Sequence, residues 1–183
     1  MDKKKTVTLN SGTIISIRQS LDKEITKAWN TIKHENIMST KEIKAGLGSG
    51  KDLKALYNSI LQMQQKRIKI KAMLFALNTG LTTFDFDAFK KTNNYTIFAA
   101  CETKETIAHL KAIPTLNPIL KAKKGASGTG KKELFASSAK IASLLKDLQL
   151  KANKYDADLE KFNNETSLTF TDDSGEFDKF VLA

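Results

Sequence analysis

Residues 123 to 134 read KKGASGTGKKEL, so that Gly125 is followed after four residues by Gly130 and Lys131. Glycines at that spacing ahead of a lysine are what a phosphate-cradling loop uses, with backbone N–H groups around the phosphates and the lysine reaching the terminal ones. The next position of such a loop is Ser or Thr, whose hydroxyl holds Mg²⁺. Here it is Lys132. The loop must also leave a buried parallel strand, whereas the approach NPILKAKK is broken by Pro118 and rich in lysine. The chain after residue 132 reads as a helix followed by a hairpin, with no apolar strand ending in an aspartate to complete a metal site. Nucleotide hydrolysis is therefore not expected, and residues 121 to 132 read as an irregular connection between helices, because three glycines interrupt any helix there. Lys121, Lys123, Lys124, Lys131 and Lys132 concentrate charge on that connection. Such a cluster suits contact with the phosphates of a polyanion, without base reading, since no aromatics interleave for stacking.

The other candidates for chemistry are weaker. His34 and His109 are the only histidines and stand far apart, with no second ligand at metal spacing. Asp85 and Asp87 alternate with Phe84 and Phe86 in FDFDAF, the pattern of a strand with one acidic and one aromatic face. Cys101 is the only cysteine, which excludes an internal disulfide and a cysteine-based zinc site. It lies in the apolar run IFAAC and reads as a buried thiol. No serine or cysteine has a histidine and an acid beside it. No catalytic, cofactor-binding or metal-ligating residue is assigned, and no enzymatic activity is expected.

These residues need a scaffold, and 183 residues suit a single domain, 1–183. The apolar fraction of 40% is enough to build a core. The formal net charge of +10 comes almost wholly from lysine, because Arg18 and Arg67 are the only arginines. That balance favours acidic partners, although a lysine excess with many Asn and Ile residues also fits an AT-rich genome. The start MDKKKTVTLNSG has no apolar h-region, and no stretch approaches the roughly 20 apolar residues that cross a bilayer. The expected setting is cytoplasmic, or a virion if the protein is phage-derived, with no membrane partner and no small-molecule substrate.

Apolar spacing of three and four is the dominant signal. Leu134, Ser138, Ile141, Leu145, Leu148, Ala152, Tyr155, Leu159 and Phe162 form a heptad seam over residues 134 to 162. Leu53, Leu56, Ile60, Met63, Ile70, Leu74 and Leu77 form another over 53 to 77, interrupted by Arg67, with Asp52 as cap and NTG (78 to 80) as stop. An arginine on a seam pairs with an acid across the interface or emerges at an edge, and so can set register. Ile14, Ile17, Leu21, Ile25, Ala28, Trp29 and Ile32 mark a first helix. A shorter one runs from about 97 to 113, with Thr96 as cap and Pro114 as stop. Strand-like material is limited to TVTL near the start, residues 82–89, and a tail hairpin over about 166–182 with Asp172 to Gly175 as its turn. The tail is acidic: Glu165, Asp172, Asp173, Glu176 and Asp178 stand against Lys179 over residues 164 to 183.

The order of parts resembles the septicolysin-like helical family of bacteria and phages. The matching segments are FALNTGLT (75 to 82), ACETKETIAHLKAI (100 to 113) and LKANKYDADLEKFNNETSL (150 to 168). The resemblance implies an all-helical hairpin module without an established catalytic role.

The expected fold is mainly α: long antiparallel helices with heptad seams over about 12–163, plus a small β element from the N-terminal segment, residues 82–89 and the C-terminal hairpin. The expected function is that of a structural or assembly protein that self-associates by helix packing and needs no cofactor. The alternative is a nucleic-acid-associated accessory protein using the lysine-rich connection.

Overall fold

The computed structural model describes residues 7–116 and 130–169. Over that range the chain is mainly helical, with six helices and one two-stranded sheet. The helices are α1 (Ser11–Glu35), α2 (Thr40–Lys44), α3 (Leu53–Asn78), α4 (Phe86–Phe89), α5 (Asn93–Lys111) and α6 (Ser138–Glu165). Each opens on a short polar residue whose side chain accepts a backbone N–H of the first turn: Asn10, Ser39, Asp52, Asp85, Thr92 and Ser137. That bond satisfies a donor the helix itself leaves unpaired. Behind α3 the chain reverses at Gly80, whose φ of 80° lies in the left-handed region open to glycine.

Three cross-links fix how the long helices lie. Asp22 of α1 meets Arg67 of α3, Arg67 meets Glu102 of α5, and Lys104 of α5 meets Asp156 of α6. With the packing of α1 on α3, α3 on α5 and α5 on α6, they give an up-down-up-down bundle. One end holds the start of α1, the end of α3, the start of α5 and the end of α6. The other end holds α2 and the sheet, where β1 (Ile37–Ser39) pairs antiparallel with β2 (Lys131–Glu133) and Met38 faces Lys132. The main core sits toward this second end, around Ile25, Trp29, Ile32, Leu53, Tyr57, Ile60, Leu110, Phe135 and Ile141.

The two predicted seams behave differently. On α6 the heptad phase holds: Ile141 and Ala152 are buried and Leu145, Leu148, Tyr155 and Leu159 partly so, before Phe162 emerges at 43% exposure. On α3 the phase drifts. Leu53 and Ile60 are buried and Leu56 partly so, but the buried stripe then passes to Ile68, Ala72 and Ala76, leaving Ile70 and Leu74 half-buried and Leu77 38% exposed. A straight helix of 3.6 residues per turn slips about 20° per heptad against a 3.5 repeat, and over this length the stripe moves to neighbouring residues.

The β element comes from other residues than expected. Val7 to Leu9 carry no regular structure and lead straight into the Asn10 cap. Residues 82–89 hold no strand: Asp85 accepts the N–H groups of Asp87 and Ala88 and starts α4. Phe89 then packs against Phe75, Phe84, Phe86 and Phe98, so the aromatics share one cluster rather than one strand face. The sheet uses Ile37–Ser39 and Lys131–Glu133 instead, and Leu134 is held outside α6 because its N–H bonds the Asn36 carbonyl at 2.8 Å. Lys131 and Lys132 thus lie in a strand, not in an irregular connection. α5 begins one turn earlier than expected, capped by Thr92 and not by Thr96. Cys101 is exposed, not buried as its apolar neighbours suggest. The tail hairpin, apart from the irregular residues 166–169, lies outside the described residues, as do Lys121, Lys123 and Lys124.

Candidate functional site

Two polar centres hold the helices in place. In the first, Arg67 is 6% exposed and Glu102 4%. The guanidinium donates from Nε to Glu102 Oε1 at 2.8 Å and from Nη2 to Glu102 Oε2, from Nη1 to Asp22 Oδ1 at 3.0 Å, and from Nη2 to Glu105 Oε2 at 2.6 Å. Lys71 Nζ adds a bond to Glu102 Oε1 at 2.9 Å, and Arg18 lies 3.7 Å from Asp22. Three cations therefore face three carboxylates. Burial acts to lower the Arg67 pKa, but the hydrogen bonds to Glu102 and Asp22 with the charges of Glu102 and Glu105 outweigh it, so the guanidinium is held charged. This is the acid partner that an arginine on a seam requires, supplied from two helices at once.

In the second centre Asn36, fully buried, joins three separate pieces of chain. Its Nδ2 donates to the carbonyls of Pro114 at 2.7 Å and Ala136 at 3.0 Å, and its Oδ1 accepts from the N–H groups of Phe135 at 2.9 Å and Ala136 at 3.0 Å. All four bonds are to backbone, and they tie the exit of α1 to the exit of α5 and the approach to α6. Between the centres, His109 stacks on Trp29 with ring centroids 4.8 Å apart, and Tyr57 meets the same indole edge-on. Trp29 Nε1 is buried without a partner. Burial, then the charge of Lys33, lowers the pKa of His109 against the pull of Glu105.

A cleft of about 210 Å³ opens between α3, α5 and α6, floored by Gln64, Glu102, Thr103 and Thr106. Its polar atoms are already engaged within the protein. Gln64 Nε2 donates to Thr106 Oγ1 at 2.8 Å, Thr103 Oγ1 donates to the Ala99 carbonyl at 2.8 Å, and Glu102 holds Arg67. Ligand pockets usually exceed roughly 300 Å³, and this cleft is smaller, with the polar atoms of its floor bonded within the protein. No group of three or more His, Cys, Asp or Glu side chains among the described residues could hold a metal ion.

The surface is divided more sharply than the interior. Residues 33–54, 108–116 and 130–140 build the sheet end; they carry nine lysines and four carboxylates, a net of +5. The other 108 described residues carry a net of only +3, from 14 basic and 11 acidic groups. Ion pairs between Lys or Arg and carboxylates are concentrated in that second region, and among the described residues none of the nine lysines is within ion-pair distance of a carboxylate. The carboxylates of the sheet end accept backbone N–H groups. Glu35 accepts from Ser49 N at 3.0 Å, Glu42 from Ser39 N at 2.6 Å, Asp52 from Lys54 N at 2.9 Å, and Glu133 from Leu116 N at 2.8 Å. Apolar exposure is divided the opposite way. Of the twelve exposed large hydrophobics among the described residues, Val7, Ile15, Ile17, Phe75, Leu77, Leu81, Ile97, Phe162 and Leu168 belong to the far end of the bundle.

Of the residues the sequence singled out, Lys131 and Lys132 are exposed on β2 at the sheet end. The seam residues Leu53, Ile60 and Ile141 are in the core, while Leu77 and Phe162 emerge at the far end. Asn36, Glu102 and Gln64 were not singled out. Glu102 could have been found as the carboxylate that Arg67 needs, whereas Asn36 gives no signal in its own neighbourhood. Among the described residues no helix is long and apolar enough to cross a membrane. Comparison with known protein families, with curated proteins and with solved structures found no match to any of them.

Proposed function

We propose that the protein is a non-catalytic assembly module that pairs with a second copy of itself through the far end of the bundle. The observation that carries this reading is that nine of the twelve exposed large hydrophobics among the described residues lie at that end. The heptad seams do not supply it, because α1 packs on α3 and α5 on α6 within one chain. What the described residues leave exposed is the apolar residue set where these helices start and stop.

A two-fold contact sets one patch against its own copy, so the patch must not repel itself. At the far end charges are paired internally: Arg18 with Asp22, Lys90 with Asp87 at 2.8 Å, and Lys161 with Glu165. The sheet end, with its net +5, repels its copy. Charge thus favours the far end, and apolar burial supplies roughly 25 cal/mol per Å². The septicolysin-like layout points the same way, toward a helical module without catalysis.

Light scattering with sedimentation tests the proposal. The chain is expected to dimerise at micromolar concentration. Leu77→Asp combined with Leu81→Asp, at positions 38% and 56% exposed, is expected to give monomers with an unchanged melting temperature. A wild-type chain that stays monomeric at high micromolar concentration overturns it.

A further inference from the structure

The nine lysines at the sheet end lie opposite the apolar patch and play no part in it. They come from different stretches of chain. Lys33 is on α1, Lys41 and Lys44 on α2, Lys51 and Lys54 at the start of α3, Lys111 at the end of α5, Lys131 and Lys132 on β2, and Lys140 at the start of α6. A fold that neutralises its charges places carboxylates among such lysines, as the Arg67 layer does. Here Glu35, Glu42 and Asp52 accept backbone N–H groups, and eight of the nine lysines are exposed. The Ser39 hydroxyl and N–H hold Glu42, and their hydrogen bonds, with a smaller contribution from the charge of Lys131, lower its pKa. The sheet itself is rigidly placed, because Thr40 bonds the Gly130 carbonyl through both N–H and Oγ1 at 2.8 Å.

We infer that the sheet end binds the phosphate backbone of nucleic acid, without reading its sequence. Lysine is a point charge that suits phosphate, whereas base edges are read chiefly by arginine and amide forks. Neither arginine is available for this: Arg67 is buried and Arg18 belongs to the other half, beside Asp22. A lipid surface is the other polyanion that lysines attract, but it also needs an apolar face to insert. Among the described residues the exposed large hydrophobics at this end are Ile43 and Leu47, and α2 has only five residues. The charge is spread over several elements around one end, which suits a rod of regularly spaced phosphates.

Binding of a short mixed-sequence DNA duplex, followed by fluorescence anisotropy at two salt concentrations, tests the inference. If about five phosphates are neutralised, affinity falls on the order of 10²- to 10³-fold between about 50 and 200 mM salt. A variant carrying Lys41→Ser, Lys44→Ser, Lys131→Ser and Lys132→Ser is expected to lose more than tenfold in affinity at the lower salt. Its salt slope becomes shallower by about three to four, and its melting temperature stays unchanged. A control variant replaces Lys23, Lys27, Lys66 and Lys69, exposed lysines of the other half, and should bind nearly as the wild type does. The inference is overturned if the wild type does not bind the duplex, or if the two variants lose affinity equally. It is also overturned if phosphatidylserine vesicles are bound at concentrations where the duplex is not.

Discussion

The two polar centres of this bundle solve one problem by opposite means. Arg67 joins three helices through side chains alone, meeting carboxylates from α1 and α5. Asn36 joins three pieces of chain through backbone alone, and no charge is involved. The difference follows from what each must hold. Helix interiors have no unused backbone donors or acceptors, so side-by-side helices can be cross-linked only through side chains. Chain exits and turns offer free N–H and C=O groups, and an amide matches both. The surface repeats the division, with ion pairs around the Arg67 half and exposed lysines around the Asn36 half.

The largest effect is expected at Arg67. Arg67→Met leaves Glu102 buried with only Lys71 for company. Removing one partner of a buried pair typically costs about 3–5 kcal/mol. If charge rather than shape is the cause, adding Glu102→Gln should recover much of the loss, because the uncompensated carboxylate is gone. Urea unfolding of both variants checks this. A single variant as stable as wild type would mean that the side-chain centre does not hold the helices. A double variant no better than the single would mean that packing, not charge, carries the effect.

Asn36→Ala is next. It leaves the N–H groups of Phe135 and Ala136 buried without an acceptor, and each unsatisfied buried group costs about 1–3 kcal/mol before relaxation. A net loss of about 2–3 kcal/mol is expected. Hydrogen exchange should locate it: amides of Leu134, Phe135 and Ala136 lose protection while those around Arg67 keep theirs. Uniform loss of protection would show that the two centres are one cooperative unit and erase the contrast between them.

The helices could be read in the sequence because each signal is local. Asp52 and the heptad residues Leu53 to Met63 lie next to what they cap or cover. Arg67 on a seam announced a missing acid, although not which one. The sheet could not be read: Ile37–Ser39 and Lys131–Glu133 are three residues each, far apart in sequence, and β2 has two lysines where a strand signal needs alternation. Asn36 owes its role to groups 78 to 100 residues away. In FDFDAF the alternation was real but its cause was different, since Asp85 caps a helix and Phe86 and Phe89 are one helical turn apart. A short aromatic run supports either period, and only the packing of Phe89 on Phe75 and Phe98 decides between them.

The smallest expected effect lies on the border between the halves, at His109. Lys33 from the lysine-rich half and Arg67 act to lower its pKa, Glu105 acts to raise it, and burial against Trp29 is the largest influence, also lowering. The folded chain therefore binds this proton less readily than the unfolded chain, whose histidine titrates near the ordinary value of 6.5. Stability from this group is fully present above that pH. It is lost as the pH falls through 6.5 toward the lower folded value, where the folded histidine also takes up its proton. His109→Phe keeps a ring against Trp29 and removes the titration, so its melting temperature relative to wild type should rise on acidification through that window. Imidazole shifts followed by NMR sharpen the point: Lys33→Ser should raise the His109 pKa, and Glu105→Gln should lower it further. If neither substitution moves it, the charges of the two halves do not meet at His109, and burial alone sets its proton affinity.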